Sequence, residues 1–356
     1  MLAGAAVARA QTLANPDISV VGDARLEILA SERADALNRN QVDFVFEEIE
    51  FNFNAYLNPY MRADVYVGFH GDEGPAAVEE GAITVLRGLP WSMQLKAGKY
   101  LLDIGKINTQ HPHQWGWLEL PLMHRTMLGE EGARVIGANL STFQAVGETA
   151  VTLSANAFSG EGWGHAHEHA AGDAADHDDE APAEIMYSGR LSAFRSLTDA
   201  WSVELGASAF WGKYDPTESL EQTVAAVDWK LRWRPDTYRA FVWVAEAMLS
   251  SRDTVHESDS LAAAETVDAV GAFTSVDYQF RRRYDAGAFF DWTQDAEVKD
   301  AGTTAAGAFF GFMPAEETAR FSVVYRWEDS DLYSYDNQSV TFQVVWALGP
   351  HKPHSY

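Results

Sequence analysis

The sequence predicts an all-β fold: a transmembrane, antiparallel, up-and-down β-barrel of about 16 strands. Three observations carry that reading. From residue 18 onward, hydrophobicity alternates with a period of two rather than 3.6. The alternating runs extend over about 10 to 14 residues, beyond the usual length of a globular strand, and their apolar face is rich in aromatic rings. Short turns alternate with longer polar connectors, the pattern of a barrel with tight turns on one side of a membrane and extended loops on the other.

Composition narrows the alternatives. The chain has 356 residues, 52 acidic against 26 basic side chains, a formal net charge of −26 and no cysteine. Disulfides and cysteine-based metal centres are therefore excluded. The acidic balance repels nucleic-acid phosphates, so no nucleic-acid partner is expected. No uncharged apolar window is long enough for a transmembrane helix. With 47% hydrophobic and 12% aromatic residues, the chain is too apolar to be disordered. Residues 1–10, MLAGAAVARA, read as the remnant of a secretory signal, with Ala8 and Ala10 in a small-x-small pattern before Gln11. Residues 11–356 then form one barrel domain, exported without cysteines that oxidation could trap.

Strands are expected near 18–28, 42–57, 60–70, 77–87, 91–103, 133–143, 147–157 and 185–195. The second half follows with 199–212, 221–233, 237–249, 267–280, 283–295, 302–313, 317–328 and 337–348. Within them, Ile49, Phe51 and Phe53 alternate with Glu48, Glu50 and Asn52, and Val227, Trp229 and Leu231 with Asp228, Lys230 and Arg232. Near the end, Phe321, Val323, Tyr325 and Trp327 oppose Arg320, Ser322, Val324 and Arg326. Alternation is weakest in the first strand, so 14 strands is the other count. Closure removes every unpaired edge, as hydrocarbon requires. A ring this wide is expected to leave an aqueous channel, with selectivity set by width and charge. The last regular strand should stop near Leu348, because Pro350 and Pro353 break the ladder before the terminal Tyr356.

Three places could carry chemistry. Residues 105–131 form a connector too apolar to stand free in water, so it is expected to fold inward as the constriction, with Lys106, His111, His113, His124, Arg125, Glu130 and Glu131 as its functional side chains. His111 and His113, flanking Pro112, could bind zinc or another divalent ion with Glu119, Glu130 or Glu131; simple hydrogen bonding inside a packed loop is the competing reading. Arg125 and Arg134 beside Glu130 and Glu131 read either as an electrostatic screen or as ordinary salt bridges.

Residues 159–183 interleave His165, His167, His169 and His177 with carboxylates including Asp176 and Asp178 in a Gly/Ala background. Such a stretch is expected to be a disordered outer loop that captures Zn, Ni or Cu weakly, or else a solvated acidic loop. Finally, if the apolar faces meet lipid, then Glu48, Glu50, Asp64, Lys96, Lys230, Arg232, Asp291 and Arg326 point into the lumen, together with Asp228, Asp285 and Arg320. That mixture gives a transverse field with a mild cation preference. No hydrolase nucleophile motif, HExxH or phosphate loop is present, so no enzymatic activity is expected.

The segments NPDISVVGD (15–23), LKAGKYLLDIGKINTQHPH (95–113) and LGEEGARVIGANLS (128–141) resemble bacterial outer-membrane porin-like proteins. That group is related to the O/P-type, phosphate-selective porins and often labelled zinc-regulated or TonB-dependent outer-membrane receptors. The resemblance implies a bacterial outer-membrane location and an envelope transport role. The chain departs from it in lacking a plug domain of the size a TonB-dependent transporter carries, and in lacking a dense basic ladder around Lys96, Lys99 and Lys106. The expected function is passive diffusion of small hydrophilic solutes or ions, divalent metal ions among them; the alternative is a surface metal-binding receptor whose barrel anchors the His/Asp loop. Outer-membrane lipid is the expected surrounding, a homotrimer is compatible with it, and no cofactor is required beyond weakly held Zn.

Overall fold

In the computed structural model, residues 16–71, 76–160, 184–215, 219–254, 265–314, 318–335 and 337–349 are described. Sixteen strands follow one another: β1 Asp17–Leu29, β2 Val42–Asn58, β3 Met61–His70, β4 Ala77–Val85, β5 Met93–Leu101, β6 Arg134–Val146, β7 Thr149–Ser159 and β8 Ile185–Ser196. The other half comprises β9 Trp201–Asp215, β10 Leu220–Trp233, β11 Ala240–Thr254, β12 Glu265–Phe280, β13 Tyr284–Gln294, β14 Gly302–Phe312, β15 Ala319–Ser330 and β16 Asn337–Leu348. Each strand pairs antiparallel with its neighbours in sequence, and β1 pairs with β16 to close the barrel. The count is thus 16. The weakly alternating first strand pairs on both sides, with β2 and with β16.

The outward faces are the apolar ones. Phe44 is 83% exposed, Val227 58% and Phe342 47%, as groups facing acyl chains must be in a chain free of lipid. At the short-turn end the rim is aromatic: Tyr60, Trp91 and Tyr238 are exposed, and the Trp201 and Trp233 rings lie 6.1 Å apart. Such rings suit the membrane–water boundary, where one edge is apolar and the other wet. One detail of the connector pattern differs from the expectation. The β9–β10 connection, 216–219, is as short as the turns at the opposite end, because β9 and β10 continue pairing up to Leu220 and Asp215.

Two bulges reshape the inner face. In β2, Glu48 pairs with Asp23 and Phe46 with Ala24, leaving Glu47 as the extra residue. In β4, Glu80 pairs with Tyr66 and Val78 with Val67, leaving Glu79 as the extra residue. A bulge lets neighbouring side chains escape strict alternation, so Glu79 and Glu80 are both buried inside the wall.

The interior corrects the expectation of a uniformly wet lumen. Phe158, Phe210, Met248, Phe273, Phe289 and Phe309 point inward from β7 to β14 and join one buried apolar cluster with residues of the β5–β6 connection. The doublets Phe289-Phe290 and Phe309-Phe310 place one ring on each side of the sheet, since the first of each pair is buried and the second exposed.

Candidate functional site: the loop inside the barrel

The β5–β6 connection, residues 102–133, lies inside the barrel. Two α-helices occur among the described residues: α1, Ser31–Ala36, in the β1–β2 connection, and α2, Leu122–Leu128, in this inner loop, which also contains the short 3-10 turns Ile107–Thr109 and Pro112–Gln114. Asn108 clasps the neck of the loop. Its amide donates to the carbonyls of Leu102 (2.7 Å) and Ala133 (3.2 Å), while the Ala133 N–H donates to its Oδ1 at 2.8 Å. Beyond the neck, Ile104, Ile107, Trp115, Met123 and Met127 bury themselves against the apolar inner wall. The hydrophobic effect, rather than a covalent tether, thus holds the loop down.

Polar wall residues then satisfy the loop backbone, which buried away from water must find partners. The Gly105 N–H donates to Ser208 Oγ at 2.9 Å. Glu246 of β11 accepts from the N–H groups of Lys106 and, at 2.7 Å, of Ile107. Its other oxygen lies 3.0 Å from Nε2 of the fully buried His124. The Leu122 N–H donates to Asp291 Oδ2 at 2.8 Å, setting a carboxylate at the start of α2. Asp103 accepts from the Ser154 hydroxyl and, at 2.7 Å, from the Asn156 amide.

The constriction residues separate into different surroundings. Lys106 reaches out to Glu204 of β9 at 2.7 Å. Arg125 pairs with Glu130 at 2.9 Å and Glu119 at 3.4 Å, and Arg134 with Glu131 at 2.6 Å. These contacts make salt bridges of the arginines. Glu119 also faces Arg326 of β15 at 3.6 Å. The Arg326 and Arg125 guanidiniums outweigh its burial and hold its carboxyl at about 2, well below the ordinary range.

The carboxylates proposed for His111 from sequence are corrected by this arrangement. Glu119, Glu130 and Glu131 are engaged by arginines, and the partners of His111 come instead from the barrel wall. His111 Nδ1 lies 2.6 Å from Glu50 Oε2 and 3.8 Å from Glu79 Oε2, and its Nε2 lies 3.0 Å from Glu80 Oε1. Burial opposes charge on this imidazole, but Glu50 and Glu80 prevail and raise its pKa to about 10. Its ring stacks on Tyr66 at 4.8 Å, and His113 stacks on it at 5.7 Å. Next to it, His70 Nε2 lies 3.1 Å from Glu79 Oε1. Two sets, Glu50–Glu79–His111 and Glu48–His70–Glu79, bring one ligand atom from each member within 4.8 Å of the others.

Of the lumen residues, Glu48, Glu50, Asp291 and Arg326 are buried on the inner face. Asp64 pairs with Arg62 at 2.5 Å, and Lys96 approaches Glu80 at 3.5 Å. Lys230 and Arg232 share the face of Asp228, which Arg190 binds at 2.6 Å. His165, His167, His169, His177, Asp176 and Asp178 lie outside the described residues, as do Ala8, Ala10 and Tyr356. Glu79, Glu80, Asn108 and Glu246 were not singled out from sequence. The adjacent pair Glu79-Glu80 in an alternating strand was the readable signal, because two neighbouring carboxylates share a face only across a bulge. Beside the loop a cavity of about 220 Å³ is lined by Lys106, Thr109, Thr152, Ser154, Arg190 and Glu204, among others.

No family model matches the sequence. An uncharacterized protein of Aquifex aeolicus (strain VF5) is 38% identical over 91 residues, which is 24% of this chain and 19% of that protein. The chain therefore spans about a fifth of that relative's length. Among solved structures, the outer-membrane channel DcaP of Acinetobacter baumannii is similar with a TM-score of 0.60 at 13% identity, over 95% of this chain and 99% of that one. An anion-selective porin from Comamonas acidovorans gives 0.59 at 7% identity, over 94% and 99%. OmpT, an outer-membrane protein of Vibrio cholerae, gives 0.56 at 10% identity, over 96% and 100%. Similarity at such low identity is similarity of fold. The chain has the closed 16-strand fold that these outer-membrane proteins share.

Proposed function

We propose that the protein is a passive channel through which small hydrophilic solutes cross the outer membrane, narrowed by the loop at 102–133. The observation that supports this most is the charged, partly accessible inner wall beside the loop. Lys106 retains 18% of its side-chain exposure, Glu204 26% and Lys96 33%. Charged pairs in a dry barrel would be fully buried, whereas these keep part of their surface open to space that water can fill. The net charge of −26 supports a mild preference for cations. Resemblance to the O/P type of porin rests on the stretches 15–23, 95–113 and 128–141, the last two of which include the ends of the inner loop. A homotrimer is part of the proposal, since a trimer form is described for OmpT of Vibrio cholerae.

Planar-bilayer recording tests the reading. Purified protein is expected to insert in discrete, ohmic steps with a reversal potential displaced toward the cation in a salt gradient. A barrel that inserts, as judged by its folded migration, and passes no current would defeat it.

A further inference from the structure

We propose that Glu50, Glu79 and His111 form a binding site for a divalent transition-metal ion inside the barrel, with Glu80 as the outer partner that orients His111. The site joins the inner loop to the wall formed by β2 and β4, and it stands independently of whether the channel conducts.

Four features argue for it. First, the ligand set is chemically apt: one imidazole and two carboxylates suit a borderline cation such as Zn²⁺, leaving one tetrahedral position for a fourth donor. Second, the spacing is right. Bonds of about 2.0–2.2 Å to one ion place tetrahedral ligand atoms roughly 3.4 Å apart. The His111 Nδ1 distances to Glu50 Oε2 and Glu79 Oε2, 2.6 and 3.8 Å, straddle that value.

Third, the atoms face one another without serving one another. His111 Nδ1, Glu50 Oε2 and, nearby, Glu48 Oε1 are buried with no hydrogen-bond partner, although His111 Nδ1 and Glu50 Oε2 are within ion-pairing distance. A metal ion set between His111 Nδ1 and Glu50 Oε2 would satisfy both. Glu50 is 2% exposed, Glu79 1% and His111 6%, so water cannot readily do so. Fourth, Glu80 Oε1 lies 3.0 Å from His111 Nε2. A carboxylate on the far nitrogen fixes the tautomer that leaves Nδ1 as a ligand, the usual outer arrangement of a metal-bound imidazole.

Charge agrees with geometry. Glu48, Glu50, Glu79 and Glu80 gather four carboxylates, against which Arg134 at 3.1 Å from Glu79 and Lys96 at 3.5 Å from Glu80 supply two permanent positive charges. The excess of carboxylates favours a cation among them.

The test uses the chain lacking only residues 163–180, so that the histidines there contribute nothing. It is folded in detergent, stripped with chelator and titrated with Zn²⁺ by calorimetry. One equivalent is expected to bind. Glu50→Gln and His111→Ala are each expected to weaken binding by roughly tenfold or more, and Glu80→Gln by about tenfold. X-ray absorption at the zinc edge should show imidazole in the shell. Absence of saturable binding to the folded barrel, or affinity unchanged in both Glu50→Gln and His111→Ala, would overturn the proposal and leave an ion-pair network closed by Arg134. Where a variant fails to migrate as folded, the absorption spectrum of the parent decides: an all-oxygen shell refutes the site.

Discussion

Glu119 is one of six charged side chains on the inner loop, and Arg326 of the wall together with Arg125 of α2 holds it there. Its depressed pKa fixes the sign of a pH effect. A carboxylate whose folded pKa lies below its ordinary value near 4.5 contributes stability that is fully present above that value and is lost as pH falls through about 2. The side chain is 35% exposed, so solvent screens part of the effect. Single-channel current noise should accordingly stay flat from neutral pH down to about pH 4 and rise only on approach to pH 2, whereas Glu119→Gln should already be noisy at neutral pH. Residues of this kind were readable as charges but not as partners. Glu119 and His111 both stood out in the sequence, yet pairing one with Arg326 and the other with Glu50 depends on where the loop crosses the barrel, and local spacing carries no record of that.

The inner loop behaves as an element with its own packing. Helix α2 lies close against β12 because Gly271 has no side chain: a Cβ there would sit 2.5 Å from Met123 Cβ and 2.8 Å from Thr293 Oγ1. Gly271→Leu should therefore lift α2 off the wall, at a cost of about 1–3 kcal/mol for overpacking. The barrel, whose ladders do not use that side chain, should still assemble. The expected readout is a folded band in a heat-modifiability gel with fluctuating open-channel current; a current as quiet as the parent's would show that α2 does not depend on this contact. At this scale the strands were legible, because lipid on one side and water on the other impose a period of two. The apolar inner wall was harder to read. Phe273, Phe289 and Phe309 face a loop rather than lipid or water, so they interrupt the alternation by a rule that operates across the lumen.

For the whole molecule, closure depends on a seam between the ends of the chain. Asp23 of β1 accepts from the Gln343 amide of β16 at 2.8 Å and binds Arg25 at 2.9 Å, and Arg25 reaches Glu47 at 3.2 Å. Asp23 and Arg25 are nearly inaccessible, at 2% and 6% of side-chain exposure. Asp23→Ala leaves a buried guanidinium and an amide short of a partner. It should lower barrel stability by on the order of 3 kcal/mol, read as an earlier midpoint in urea unfolding of the detergent-folded protein. An unchanged midpoint would mean that the backbone ladder alone secures the seam. The bonds joining β1 to β16 also set a temporal order on biogenesis. The leading strand is made first and its mate last, so during synthesis and transit one margin of the nascent sheet stays raw until residue 348 arrives. Whatever escorts the chain to its membrane must shield that margin throughout.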